Sequence, residues 1–232
     1  PSVVLNGLAG LPANVNAPLF RAHPAVAVPQ GRYSDWGKRA LDMALIVVSM
    51  PIWLPVIVLC ALALWAEGGT PFYRQDRLGR NGKRFSILKL RTMVMDADQQ
   101  LSQILQDDPA LKMEWDQTQK LKNDPRITRF GGILRKTSLD ELPQLLNVFT
   151  GEMSLVGPRP MLPEQLSMYG PAGAYFALRP GITGLWQVSE RNEDRFSVRA
   201  QADASYAETL GLGTDLALLV QTVGVVARRT GY

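Results

Sequence analysis

Cysteine and histidine are almost missing. The 232 residues hold one of each, Cys60 and His23. A single cysteine excludes an internal disulfide framework. A single histidine argues against a His-built metal centre and against Ser-His-Asp or Cys-His nucleophilic chemistry. The chain has no Gly-x-x-x-x-Gly-Lys-Ser/Thr loop and no strand-borne Gly-x-Gly-x-x-Gly, so the common phosphate-cradling loops are absent too. No internal repeat is visible. Chemistry is left to carboxylates, lysine, arginine and a hard metal ion. Charge is also missing locally, with no Asp, Glu, Lys, Arg or His between Met43 and Ala66. The net charge is a modest +4, and basic residues crowd the span from Arg74 to Arg91. The length suits one domain with a real core.

Residues 1 to 32 are rich in Pro, Ala, Val, Asn and Gly without helical or strand period. They read as a flexible leader. Tyr33, Trp36, Lys38 and Arg39 then suit a lipid–water boundary. The uncharged run that follows would span roughly 36 Å as a straight helix, enough for a bilayer core. Two features speak for a helix that enters the membrane and returns. Pro51 and Pro55 each remove a helical hydrogen bond in mid-segment. Basic clusters flank both ends, and the preference for positive charge on the cytoplasmic side puts both ends there. A simple span is the competing reading, since prolines also occur in true spans. A signal peptide cleaved near Ala61-Leu62-Ala63 would need a far longer n-region than usual. Cys60 reads as a buried apolar residue.

Beyond residue 70 the pattern turns to surface and core. Phe72–Gln75 and Phe85–Leu90 flank Asn81-Gly82, which predicts a β-hairpin. Asp96 to about Trp115 carries a partial apolar stripe and predicts one helix. It opens on Asp96-Ala97-Asp98, which reads as a cap or as a carboxylate pair for a metal–nucleotide diphosphate. Asn123-Asp124-Pro125 is a turn. The last helix, about Thr214 to Arg229, places Leu216, Leu219, Val220, Val223 and Val226 on one stripe. It would pack on the core or lie in a membrane interface.

Ser138-Leu139-Asp140-Glu141-Leu142-Pro143-Gln144 is the most informative stretch. Leucines 139, 142, 145 and 146 recur at helical spacing, and Pro143 is tolerated in a first turn. A helix starting near Ser138 to Asp140 is predicted, with Ser138-x-x-Glu141 as a capping box. Both acids would then sit in the positive potential of a helix end. Downstream, Gly157-Pro158-Arg159-Pro160 and Arg179-Pro180-Gly181-Ile182-Thr183-Gly184 read as rigid loops. A guanidinium on a proline-stiffened backbone makes a good phosphate fork, although either could be an ordinary turn arginine. A carboxylate can act as a nucleophile toward phosphorus. Arginines and Mg²⁺ can neutralise the charge that develops there. With a membrane anchor, these parts point to moving a phosphate-bearing group onto or off a lipid.

These residues resemble the bacterial sugar transferases, the monotopic polyprenyl-phosphate hexose-1-phosphate transferases. The carriers run in order: Lys38-Arg39-x-x-Asp42, the proline-bearing apolar segment, Phe72-Tyr73-Arg74-Gln75 with Gly79, and Lys89-Leu90-Arg91-Thr92-Met93. Ser138 to Gln144 and the two Arg-Pro loops follow. The closing Arg-Arg-Thr-Gly-Tyr looks like the exopolysaccharide-priming members. The resemblance implies transfer of hexose-1-phosphate from a UDP-sugar, glucose or galactose, to undecaprenyl phosphate with release of UMP. It implies Asp140 as nucleophile, Glu141 as partner acid, and Mg²⁺ held by Asp140 and Glu141. Arg159 and Arg179 look like phosphate or nucleotide ligands, with Lys89, Arg91, Arg126 and Arg135 as further candidates. The family's membrane helix usually breaks at Ser-Pro. Here Met50 separates Ser49 from Pro51, and Leu54-Pro55 offers a second break.

The expected fold is therefore α+β and mostly helical. Residues 1–32 form the leader and 33–70 a proline-broken re-entrant membrane helix with its interfacial flank. Residues 71–232 form a helical cytoplasmic catalytic domain with a small β-hairpin. The expected site is the cytoplasmic face of a bacterial inner membrane, with membrane lipid as a partner and an oligomer allowed. Two other readings compete. One is a membrane-associated glycosyltransferase that uses Asp96-x-Asp98 and releases UDP. The other is a non-enzymatic scaffold on anionic lipid. Nucleic acid is not an expected partner, since no stacking aromatics accompany the basic residues.

Overall fold

The computed structural model describes residues 28–118, 121–189 and 196–227. Most of the expected leader, and Arg228 and Arg229 of the last helix, lie outside them. The first element is a π-helical turn, Tyr33–Gly37, continued by α1, Lys38–Ala66. Together they form a 34-residue helix, long and apolar enough to cross a membrane. Ile46, Trp53, Ile57 and Leu64 recur at helical spacing and are buried. The first three pack on Phe85, Ile87, Val148 and Met153; Leu64 packs on Leu90 and Leu134. Burial of each such side chain is worth about 1.5–3 kcal/mol. The opposite side is bare: Val48, Ile52 and Trp65 are 78%, 72% and 69% exposed. Cys60 is only half-buried, against Leu64's cluster.

Both prolines lie inside this one helix, which runs through Pro51 and Pro55 without ending. The turn before Pro51 recruits side-chain donors. Ser49 Oγ donates to Leu45 O at 2.6 Å, and the Trp53 indole N–H donates to Ile46 O at 3.2 Å.

Polar residues at the start of α1 tie it to the rest. Lys38 Nζ meets Asp215 at 2.6 Å and the Tyr206 hydroxyl at 3.0 Å. Asp42 accepts from Ser154 Oγ at 2.8 Å and from the Leu155 N–H at 3.1 Å. Arg39 donates to Val148 O and, at 2.8 Å, to Phe149 O.

The predicted hairpin is present. β1, Phe72–Leu78, pairs antiparallel with β2, Arg84–Leu90. The turn between them places Asn81 in the left-handed region at φ 59°. The single helix expected from Asp96 to Trp115 is instead two: α2, Ala97–Asp107, and α3, Pro109–Thr118. The physical reason is Pro109, which cannot donate to continue α2. Asp108 caps the new start by accepting from the N–H groups of Ala110 and Leu111 at 2.8 and 3.2 Å.

α4, Arg129–Thr137, leads to a 3₁₀ turn, Leu139–Glu141, and then to α5, Gln144–Thr150. The two Arg-Pro segments, expected as rigid loops, carry short strands: one just before Gly157 and one after Pro180. β3, Ser154–Val156, pairs in parallel with β4, Gly181–Thr183. Glycine is required at this junction. A Cβ on Gly157 would sit 2.3 Å from Arg179 O, and one on Gly181 would sit 2.1 Å from Gly157 N. The two backbones thus touch directly, and Gly157 N donates to Thr183 O at 2.8 Å.

Between β3 and β4 lie α6, Leu166–Tyr169, and α7, Gly173–Ala177. α8, Leu185–Ser189, α9, Phe196–Glu208, and α10, Leu212–Ala227, complete the described chain. α10 buries Asp215 and Leu218, while Leu212, Leu216, Val220 and Val223 form an exposed apolar stripe. Of the residues expected on its packing stripe, three face outward.

Candidate active site

The site is built where β2, the 3₁₀ turn and the β3–β4 junction converge. Ser138 takes the left-handed conformation, φ 57°, and closes the C-terminus of α4. That role removes it from the expected capping box: its side chain caps nothing. The predicted helix from Ser138 is therefore a correction. The acids sit on a 3₁₀ turn, and α5 begins only after Pro143. Leu142 and Leu145 join the core, but Leu146 is 42% exposed.

Released from capping, Glu141 turns to two cations. Its Oε1 meets Lys89 Nζ at 2.8 Å and Arg159 Nη2 at 3.0 Å. Burial opposes ionisation of Glu141, but the Arg159 and Lys89 charges outweigh it and hold the carboxyl well below the usual range. Asp140 is treated oppositely. Only 9% exposed, its carboxyl is pushed up to about 6 by burial, with Lys89 opposing and Glu141 assisting the rise. No described residue donates a hydrogen bond to it. A partly desolvated, unbonded carboxylate with this pKa is ionised at neutral pH and more basic than an ordinary one.

The remaining sequence candidates divide into near and far. Arg135 is near: its charge favours ionised Asp140, and its Nε donates to Thr92 Oγ1 at 2.9 Å. Arg91 is engaged elsewhere, donating to Leu64 O at 3.0 Å near the end of α1. Arg126 is paired with Asp124 at 2.6 Å. Arg179 donates to Gly151 O at 3.1 Å and has Arg80, Arg39 and Asp42 as its charged neighbours. The acid pair thus receives Arg159 and not Arg179. At the β3–β4 junction the Arg179 carbonyl lies against Gly157, and the side chain reaches Gly151 instead. Asp96 accepts from Gln100 at 3.0 Å on its own helix. Neither Asp96 nor Asp98 lines the cleft that holds Glu141.

That cleft is lined by Arg77, Ile87, Lys89, Glu141, Gln144, Arg159, Pro160, Gly181 and Ile182. Arg77 and Gln144 escaped the sequence reading. Strand alternation carried the signal for Arg77. In the β1–β2 register Arg77 lies opposite Phe85 and Tyr73 opposite Lys89. Arg77, Gln75, Ile87 and Lys89 therefore share one face of the hairpin.

Among the described residues no three or more His, Cys, Asp or Glu side chains gather as a metal site. The acid pair nonetheless fits a hard cation. Both Asp140 oxygens and Glu141 Oε2 lack hydrogen-bond partners among the described residues. Mg²⁺ typically takes one or two carboxylates and completes its shell with phosphate oxygens and water.

Comparison with known proteins adds a family. The model of the bacterial sugar transferase family matches residues 33–229. A UDP-galactose-lipid carrier transferase of Erwinia amylovora is 46% identical over 195 residues, covering 84% of this chain and 41% of that protein. The undecaprenyl-phosphate galactose phosphotransferase of Salmonella typhimurium is 43% identical over 201 residues, covering 86% of this chain and 42% of that protein. The exopolysaccharide production protein ExoY of Rhizobium meliloti is 42% identical over 196 residues, covering 84% of this chain and 87% of that protein. The chain thus spans about two fifths of the first two relatives and most of the third.

Proposed function

The chain belongs to the bacterial sugar transferase family, and on that premise we propose that it transfers hexose-1-phosphate from a UDP-sugar to undecaprenyl phosphate. The hexose is galactose or glucose, and the product primes exopolysaccharide synthesis. One observation carries the reading: Asp140 is a buried, unbonded carboxylate, raised to about 6, beside a Glu141 already neutralised by Lys89 and Arg159.

An oxygen of Asp140 attacks the phosphorus that bears the sugar. The bond from that phosphorus to the oxygen bridging to UMP breaks, and UMP leaves with the electron pair. The product is an aspartyl-phosphosugar. An oxygen of undecaprenyl phosphate then attacks the same phosphorus, forming a diphosphate and returning the Asp140 carboxylate. Both nucleophiles are anions, so neither step needs a proton removed. Lys89, Arg135 and Arg159 offset the phosphate charge around the acids. Asp140 and Glu141 are the groups that would hold Mg²⁺, which when bound neutralises charge on phosphate oxygens.

The membrane reading rests on the bare side of α1 and on the exposed stripe of α10. Contiguous apolar surface of this kind marks a membrane or partner face. Basic residues at both ends of α1 support a re-entrant course, with residues 71–232 on the cytoplasmic face of the inner membrane. Pro51 and Pro55, both inside α1, are the positions where such a course would bend the helix.

The test is a screen of UDP-sugars for nucleotide release with undecaprenyl phosphate. Expected are UMP, ping-pong kinetics and a phosphosugar adduct on the Asp140 peptide when acceptor is withheld. Release of UDP, or transfer with no adduct, would overturn the mechanism.

A further inference from the structure

Lys89 and Arg159 share Glu141 at contact distance, but Arg77 in the same cleft makes no contact ion pair among the described residues and feels the Glu141 charge only from further off. Its bonds go to neutral oxygens, Pro160 O at 3.2 Å and Gln75 Oε1. Its Nε is buried and unsatisfied. Burial, then the nearby charge of Arg159, pushes the guanidinium down to about 10. Arg159 is also underused. It reaches Glu141 through Nη2 alone, so most of its donor fork is open. Two guanidiniums face one cleft with more donors than the protein supplies acceptors. Holding like charges together in a partly desolvated place is costly unless an anion joins them.

We infer that Arg77 and Arg159 form a second phosphate subsite, next to the reacting one, that holds the phosphate of the departing nucleoside monophosphate. The inference rests on the proposed transfer. The order of charges gives the assignment. Lys89, Arg135 and Arg159 are the cations that act on Asp140. Arg77 interacts with Arg159 and Glu141. Arg159 is therefore common to both subsites. A diphosphate that offers one phosphorus to Asp140 lays its neighbouring phosphate toward Arg77.

A purely structural Arg77 would serve to tie the Arg159 loop to the hairpin. That tie already exists without it. The Tyr175 hydroxyl donates to Leu78 O at 2.5 Å and accepts from Met161 N at 3.0 Å. Leu78 N donates to Met161 O at 3.0 Å.

The experiment measures UMP and uridine binding calorimetrically on the full chain in detergent, as wild type, Arg77→Gln and Arg77→Lys. Loss of a charged fork should weaken UMP about tenfold to a hundredfold in Arg77→Gln. Uridine should stay within about twofold, with Arg77→Lys intermediate for UMP. An unchanged UMP-to-uridine ratio overturns the subsite, and so does an equal loss of both ligands. If Arg77→Gln does not fold, Arg77→Lys carries the same comparison with the same two overturning outcomes. The phosphate's source is checked by transfer from the preformed adduct to undecaprenyl phosphate. An unaltered KM for that acceptor supports the nucleotide assignment; a raised KM with unaltered UMP binding overturns it. Failure of the parent proposal looks different: wild type would bind UMP yet release none from any UDP-sugar.

Discussion

Two of the molecule's clusters of buried charge, one at the root of α1 and one around Asp140, are built on opposite terms. At the root of α1, Asp215 is 1% exposed and accepts from Lys38, Tyr33 and Tyr206. Nearby Asp42 accepts from Ser154 and the Leu155 backbone. Around Asp140 the situation is reversed. Asp140 has no described donor, Arg77 Nε has no acceptor, and cations outnumber acids in the cleft. A buried polar group left unmatched costs free energy. The first cluster meets its needs internally and fastens one element to another. The second leaves its needs unmet among the described residues, as the proposed phosphate-transfer site requires.

That contrast can be broken by mutation. The largest effect is expected from Asp140→Asn, with UMP release falling at least about a thousandfold, as removal of a covalent nucleophile does. Residual activity within tenfold of wild type would end the nucleophile assignment. Lys38→Ala should act on stability instead. It leaves Asp215 buried without its cation and should cost about 3 kcal/mol in denaturant or thermal unfolding. A melt equal to wild type would mean that the α1 cluster does not fasten the fold.

The smallest effect has the opposite sign. The folded pKa of Asp140, about 6, is raised above the unfolded carboxyl's ~3.9. Its contribution to stability is present below about pH 4 and is lost as pH rises through about 6. At pH 7.5 the ionised group is a liability. The rise in pKa corresponds to about 3 kcal/mol, and the desolvation of the Asn amide offsets part of it, so Asp140→Asn should melt above wild type by about 1–2 kcal/mol, with the gap closing near pH 4. Adduct formation in wild type should rise through about pH 6 and level off above it. Asp140→Asn melting lower at pH 7.5 would show that the carboxylate is better satisfied than the geometry indicates.

Local chemistry made much of this legible. An uncharged run gave α1, Asn81-Gly82 gave the hairpin turn, and Asp140-Glu141 beside basic residues gave the acid pair. The failures divide between neighbours whose local claim was stronger, as at Ser138 and Arg126, and contacts between residues remote in sequence. Ser138 was read as the start of a helix because the capping pattern follows it. What decided its conformation was the end of α4 before it. The β3–β4 pairing depends on Gly157 and Gly181 meeting, which no window of sequence contains. Arg77 became visible only once the register set it beside Lys89 on one face. Arg91 and Arg126 looked like site cations by type; their partners, Leu64 O and Asp124, settled them elsewhere.

Arg39 holds the carbonyls of Val148 and Phe149 at the end of α5, while Gln144 at the other end of that short helix borders the cleft. Two turns of backbone thus act as a rigid spacer between anchor and chemistry. If α1 floats at a depth fixed by its apolar side, α5 transmits that depth to the acid pair as a height above the bilayer surface. An acceptor phosphate tethered to a lipid tail lives at one height only. On the proposed function, α5 would set the acid pair at that height, and lengthening or shortening it would lower transfer to the lipid while leaving nucleotide binding intact.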